Sequence, residues 1–187
     1  RNFPKLSLHL LMDDALVDVI AERVDIAVRV ANLQDSSLVA RKLGTLRAQL
    51  CASPAYLAAR GWPQHPADLA RHDWLGGRPH SAAHEVLQLH SNDGQVARVE
   101  VTSRASATQV TALHALCVAG WGISIVLSDD DRRALADGRL VPVLPDWRPP
   151  DYDAYAITVR RGEQPAKVRH ALDLLVQHFA TLEPRAA

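Results

Sequence analysis

The run Ser106-Ala107-Thr108-Gln109 stands directly ahead of an apolar stretch with helical spacing. Open backbone N–H groups at a helix start, with the positive end of its dipole, suit an anion, and two hydroxyls add donors. Plain N-capping by Ser106 or Thr108 is the other role for these residues and is compatible with binding. Arg29, near the end of residues 25–30 and followed closely by Ala31 and Asn32, offers a guanidinium that can grip a carboxylate through two parallel hydrogen bonds. Its alternative is an ion pair within the fold, with Asp25 or Asp18. Ser128 repeats the strand-to-helix pattern after Val126-Leu127, and a cap alone is its simplest role.

Covalent and metal chemistry find less support. Gly122-Ile123-Ser124-Ile125-Val126 lacks the second glycine of a nucleophile elbow, and Ser124 falls inside an apolar run. Cys51 with His72 and Asp73 can be drawn as a thiol site, but nothing near Cys51 in sequence would lower its pKa. The histidines 65, 72, 80, 84 and 90 show no metal-ligand spacing, so no metal site is expected. Asp129-Asp130-Asp131 opens a helix and lacks the glycine and distal glutamate of a calcium loop. Gly76-Gly77 and Gly120-Trp121-Gly122 match neither common phosphate-cradling pattern, and no cofactor is expected.

The elements holding these residues belong to an ordinary globular composition. Of 187 residues, 48% are hydrophobic and 22% charged, and 21 Lys plus Arg balance 21 Asp plus Glu. That balance gives no global field toward nucleic acid or an anionic membrane. The apolar runs are far short of the ~20 residues that span a bilayer. Two cysteines, Cys51 and Cys117, are too few for a disulfide scaffold and read as reduced core residues, in keeping with a cytoplasmic protein. The only methionine is Met12, so the chain is expected to be a piece of a longer product.

Alternation predicts a strand over 5–11, helical spacing a helix over 14–22, and the β-branched run 25–30 a second strand. Strand, helix, strand implies a right-handed crossover and a parallel sheet. Extended pieces follow at 38–43 and 46–52, then a helix over 54–60 with Pro54 at its start and Gly61 at its end. Residues 66–71 form a short helical turn. Residues 85–90 and 96–102 alternate around Asn92-Asp93-Gly94, a hairpin signal. A helix over 108–119, a buried strand over 123–127 and a helix from 128 to Gly138 come next. Strands at 140–143 and 154–160 and a helix from 165 to about 182 complete an α/β pattern. With a crossover unit first and a hairpin later, two lobes fit better than one sheet.

The ordered stretches Val24-Asp25-Ile26-Ala27-Val28-Arg29-Val30, Asp35-Ser36-Ser37-Leu38-Val39-Ala40-Arg41-Lys42-Leu43-Gly44 and Cys51-Ala52-Ser53-Pro54-Ala55-Tyr56-Leu57 carry a family likeness. So do His65-Pro66-Ala67-Asp68-Leu69, Ala119-Gly120-Trp121-Gly122-Ile123 and Gly138-Arg139-Leu140-Val141-Pro142-Val143-Leu144. Together they resemble the effector-binding domain of bacterial LysR-type transcriptional regulators over nearly the whole chain. The resemblance implies a two-lobe, type 2 periplasmic-binding-protein-like α/β fold with mixed, mainly parallel sheets and two crossover segments. Lobe I takes residues 1–46 plus 162–187, its first strand and helix missing, and lobe II takes 47–161. A small-molecule effector is expected in the interlobe cleft, touching Arg29, Ala31 and Asn32 at one place, Ser106, Ala107 and Thr108 at another, and Ser128 at a third. Many members carry Asn or Asp near Ser106 and Ala107, and their absence implies a smaller or more apolar effector.

The family's winged helix-turn-helix domain is expected outside this chain, so DNA is met only through that part. Helices 14–22 and 108–119 carry surplus apolar residues, Val17 and Val118 among them, and the resemblance implies a homodimer or homotetramer built on such helices. No membrane partner and no enzymatic activity are expected. An exported solute-binding protein of a transporter is the alternative, because it shares the lobe architecture.

Overall fold

A computed structural model describes residues 7–11, 21–30, 39–76, 84–127, 129–158 and 164–182. In chain order the strands are β1 (Ala27–Val30), β2 (Val39–Leu46), β3 (Gln49–Ala52), β4 (Trp74–Gly76) and β5 (His84–Ser91). They continue with β6 (Val96–Ser106), β7 (Ser124–Val126), β8 (Val141–Pro142), β9 (Trp147–Arg148) and β10 (Tyr152–Thr158). The α-helices are α1 (Pro54–Arg60), α2 (Val110–Val118), α3 (Asp129–Ala136) and α4 (Ala166–Leu182), with a 3-10 turn at Pro66–Arg71. None is long and apolar enough to cross a membrane among the described residues.

Two compact units divide the chain: Arg1–Leu46 with Tyr152–Ala187, and Arg47–Asp151. In the first, β10 lies between β1 and β2 and runs antiparallel to both. Ala154 and Ala156 sit two apart on one face of β10, and their small side chains let α4 approach. Val168 and Leu172 of α4 are buried there with Leu43, and Leu175, Val176 and Phe179 pack beside them at helical spacing. Tyr152–Thr158 thus groups with the first unit.

The second unit has helices on both faces of β3, β4 and β7, which is why these short strands read as near-continuous apolar runs. Leu50 and Ala52 of β3 face Tyr56, Leu57 and Leu69 on one side. Cys51, between them, faces Leu113, Cys117 and Ala134 of α2 and α3 on the other. The same alternation puts Trp74 in the first cluster and Leu75 in the second. At α1, Ser53 accepts a hydrogen bond from the Tyr56 N–H at 3.2 Å, and Gly61 ends the helix at φ 85°. Replacing Ser53 by Ala should cost about 1 kcal/mol of stability, read from urea denaturation. An unchanged midpoint would show that this cap contributes nothing.

The expectation of mainly parallel sheets is overturned. Six strand pairings are antiparallel and only β4–β6 is parallel among the described residues, apart from an isolated parallel bridge between Trp74 and Ile123. The supposed crossover does not form, because residues 7–11 carry no strand and β1 pairs with the distant β10. Residues 21–23 are a turn, while the rest of the expected helix over 14–22 lies outside the described residues.

Candidate functional site

The parallel minority of the sheet builds the candidate site. Ile123, just before β7, bridges in parallel to Trp74, with Ile123 N–H donating to Asp73 O and Leu75 N–H to Ile123 O, both at 2.9 Å. On its other side β4 runs parallel to the end of β6, with Trp74 opposite Ser103 and Gly76 opposite Ser106. The carboxyl ends of β7, β4 and β6 therefore reach one edge of the second unit. From that edge α2 starts after β6, and α3 starts after β7. Carboxyl ends of parallel strands beside helix N-termini are where open α/β sheets place ligands, because N–H groups and helix dipoles converge there.

Ser106, Ala107 and Thr108 are brought together on this edge. Ser106 closes β6, the Ala107 N–H donates to Gly76 O at 3.2 Å, and Thr108 is exposed in the turn to α2. Neither hydroxyl residue is the cap: Gln109 holds that position and makes no side-chain cap hydrogen bond. Ala107 packs partly against the core shared with α2. Val118, read as surplus apolar surface, also packs against that core.

Arg29 belongs to β1 of the first unit, opposite Tyr155. Asp25, one of its two proposed ion-pair partners, pairs instead with Lys167 at 2.8 Å. Ala31, Asn32 and Ser128 lie outside the described residues, as do Asp18 and Val17.

Sequence reasoning missed the group around Gly76. A Cβ there would lie 2.5 Å from Ser103 Oγ and 3.3 Å from Glu85 Oε2, so glycine is what lets those two polar atoms close over the strand. Trp74 Nε1–H donates to Glu85 Oε2 at 3.1 Å. The only sequence signal was the glycine itself, and a three-residue strand is too short to announce its end.

The amino end of β4 carries a different arrangement. Asp73 is held by Arg60 at 3.3 Å and Arg104 at 3.1 Å, and Arg104 lies over the Trp121 ring. The Tyr56 hydroxyl accepts from the Asp73 N–H at 2.8 Å and shares a hydrogen bond with His72 Nδ1 at 3.1 Å. Burial first, and then the field of Arg60, hold the His72 pKa below its ordinary value. The unfolded chain therefore takes up a proton near pH 6.5 that the folded chain resists. Stability should fall as pH drops through that value, and more steeply than in His72→Gln, measured as denaturation midpoint against pH. Parallel pH profiles for the two proteins would refute the assignment. The thiol reading fails on the same ground: Cys51 is fully buried and Asp73 is committed to two arginines. His65 caps the 3-10 turn by accepting from the Ala67 N–H, and no metal-binding cluster occurs among the described residues.

Residues 1–180 match the family model described as the LysR substrate binding domain. The chain belongs to that family. It is 35% identical over 184 residues to the HTH-type transcriptional regulator DmlR of Escherichia coli K12, covering 98% of this chain and 59% of the relative. To PtxR of Pseudomonas aeruginosa, another HTH-type transcriptional regulator, it is 34% identical over 179 residues, covering 96% of this chain and 57% of PtxR. This LysR domain thus spans less than two thirds of the length of these relatives, which are regulators of transcription. Among solved structures, the full-length Vibrio cholerae virulence activator AphB superposes with a TM-score of 0.77 at 30% identity, covering 95% of this chain and 60% of AphB. The regulatory domain of CrgA from Neisseria meningitidis gives 0.73 at 29% identity, covering 88% of this chain and 80% of that domain.

Proposed function

We propose that this LysR substrate-binding domain is the sensing part of a bacterial transcriptional regulator, and that its small-molecule effector binds at the carboxyl edge of β4, β6 and β7. The observation that carries this reading is the meeting of three parallel strand ends with the start of α2 at Ser106–Thr108, in a chain whose relatives are named as transcriptional regulators. An anionic end of the effector would face the α2 start, where backbone N–H groups and hydroxyls are donors. Such a domain acts in the cytoplasm as a homodimer or homotetramer, and reaches DNA through a helix-turn-helix part of the whole regulator. Effector binding changes DNA occupancy only if two arrangements of the regulator bind the effector with different affinity. The names of the relatives favour this reading over an exported solute-binding protein.

A thermal-shift screen of small metabolites tests it. A binder should raise the unfolding midpoint in a saturable, concentration-dependent way. A broad metabolite library that leaves the midpoint unmoved would contradict it.

A further inference from the structure

We infer that Glu85 sets specificity at this edge by accepting a hydrogen bond from a hydroxyl or ammonium group of the ligand. The inference rests on the placement of the effector proposed above. Strand β5 alternates so that Glu85 shares a face with Leu87 and Leu89, both buried in the core. A carboxylate on such a face loses hydration that an alanine or valine would not lose. Trp74, itself buried, fixes one oxygen through its indole N–H, and that donor satisfies only one of the carboxylate's acceptor sites. No lysine or arginine pairs with Glu85 among the described residues, whereas Asp73 at the other end of β4 has two arginines.

Gly76 joins this carboxylate to the candidate site. Its missing side chain brings Glu85 Oε2 and Ser103 Oγ over the strand, and Gly76 stands opposite Ser106 in the register. Adjacent strands lie ~4.8 Å apart, so the carboxylate and the Ser106–Thr108 turn are within the span of one small molecule. A ligand that offers only negative charge would be repelled by Glu85. One that pairs an acid group with a hydrogen-bond donor, such as a hydroxy acid or an amino acid, complements both ends. The plainly apolar effector suggested by Ala107 does not use this group.

The test is a thermal-shift and calorimetric titration of the chain with two matched series: propionate, lactate and alanine, then phenylacetate, mandelate and phenylglycine. In at least one series the hydroxy or amino member should bind about tenfold or more tighter than the unsubstituted acid, the size of effect a charged hydrogen bond gives. Glu85→Leu should erase that preference. Glu85→Gln, which keeps a carbonyl acceptor and the packing, should retain the preference for a hydroxyl and lose that for an ammonium. Equal binding within both series, no binding by any member, or a preference that survives Glu85→Leu would overturn the inference. If Thr108→Trp abolishes binding while Glu85→Leu leaves the preference intact, only the role of Glu85 falls. Binding that survives Thr108→Trp removes the placement of the site as well.

Discussion

Thr108→Trp should abolish ligand response while leaving the fold and the assembly intact. Thr108 is exposed between the last residue of β6 and the first turn of α2, and it makes no contribution to the buried clusters. Changes at such positions usually move stability by no more than about 0.5 kcal/mol. An indole there would fill the space in front of the α2 start and remove a hydroxyl donor. The combined clash and lost hydrogen bond should weaken any ligand of this edge by about a hundredfold. Ligand-induced midpoint shifts would vanish, while the unliganded midpoint and the sedimentation behaviour stay as in the parent protein. A variant that still responds would place the binding site elsewhere.

Leu89→Ala should strongly destabilise the second unit. Leu89 is 0% exposed and packs in the cluster that joins β5, β6, β3, α1 and the 3-10 turn. Removing such a leucine typically costs 2–5 kcal/mol, roughly, because lost transfer energy adds to an unfilled cavity. Val86, on the opposite face of the same strand, is 65% exposed, and Val86→Ala should cost about 0.5 kcal/mol or less. The pair tests the assigned register of the hairpin, since a slip of one residue would exchange the two effects. Urea denaturation of both variants reads the difference. Equal losses would mean that the pairing of Leu89 with Ala97 and of Val86 with Glu100 is misplaced.

What was legible in the chain is what is local. The alternation of Leu87 and Leu89 with Val99 and Val101 around Asn92-Asp93-Gly94 announces the hairpin, and Ser53, Pro54 and Gly61 bound α1. The spacing of Val168, Leu172, Leu175, Val176 and Phe179 marks α4. Strand direction was not legible, because β10 pairs with β1 and β2 across more than a hundred residues and periodicity carries no partner information. The candidate site was legible in part. A strand running into an apolar helix pointed to Ser106–Thr108, whereas β4, with three residues buried on both faces, left no period to read. Without β4 there was no reason to bring Gly76 beside Ser106 or to notice Glu85 above it.

The most direct measurement is an amide-resolved NMR titration of the chain with whichever acid raises its unfolding midpoint. Shift changes should centre on Gly76, Ser106, Ala107, Thr108 and the first turn of α2, and saturate with the affinity seen in the melting curves. Changes confined to the other end of β4, around Asp73, Arg104 and Trp121, would contradict the account.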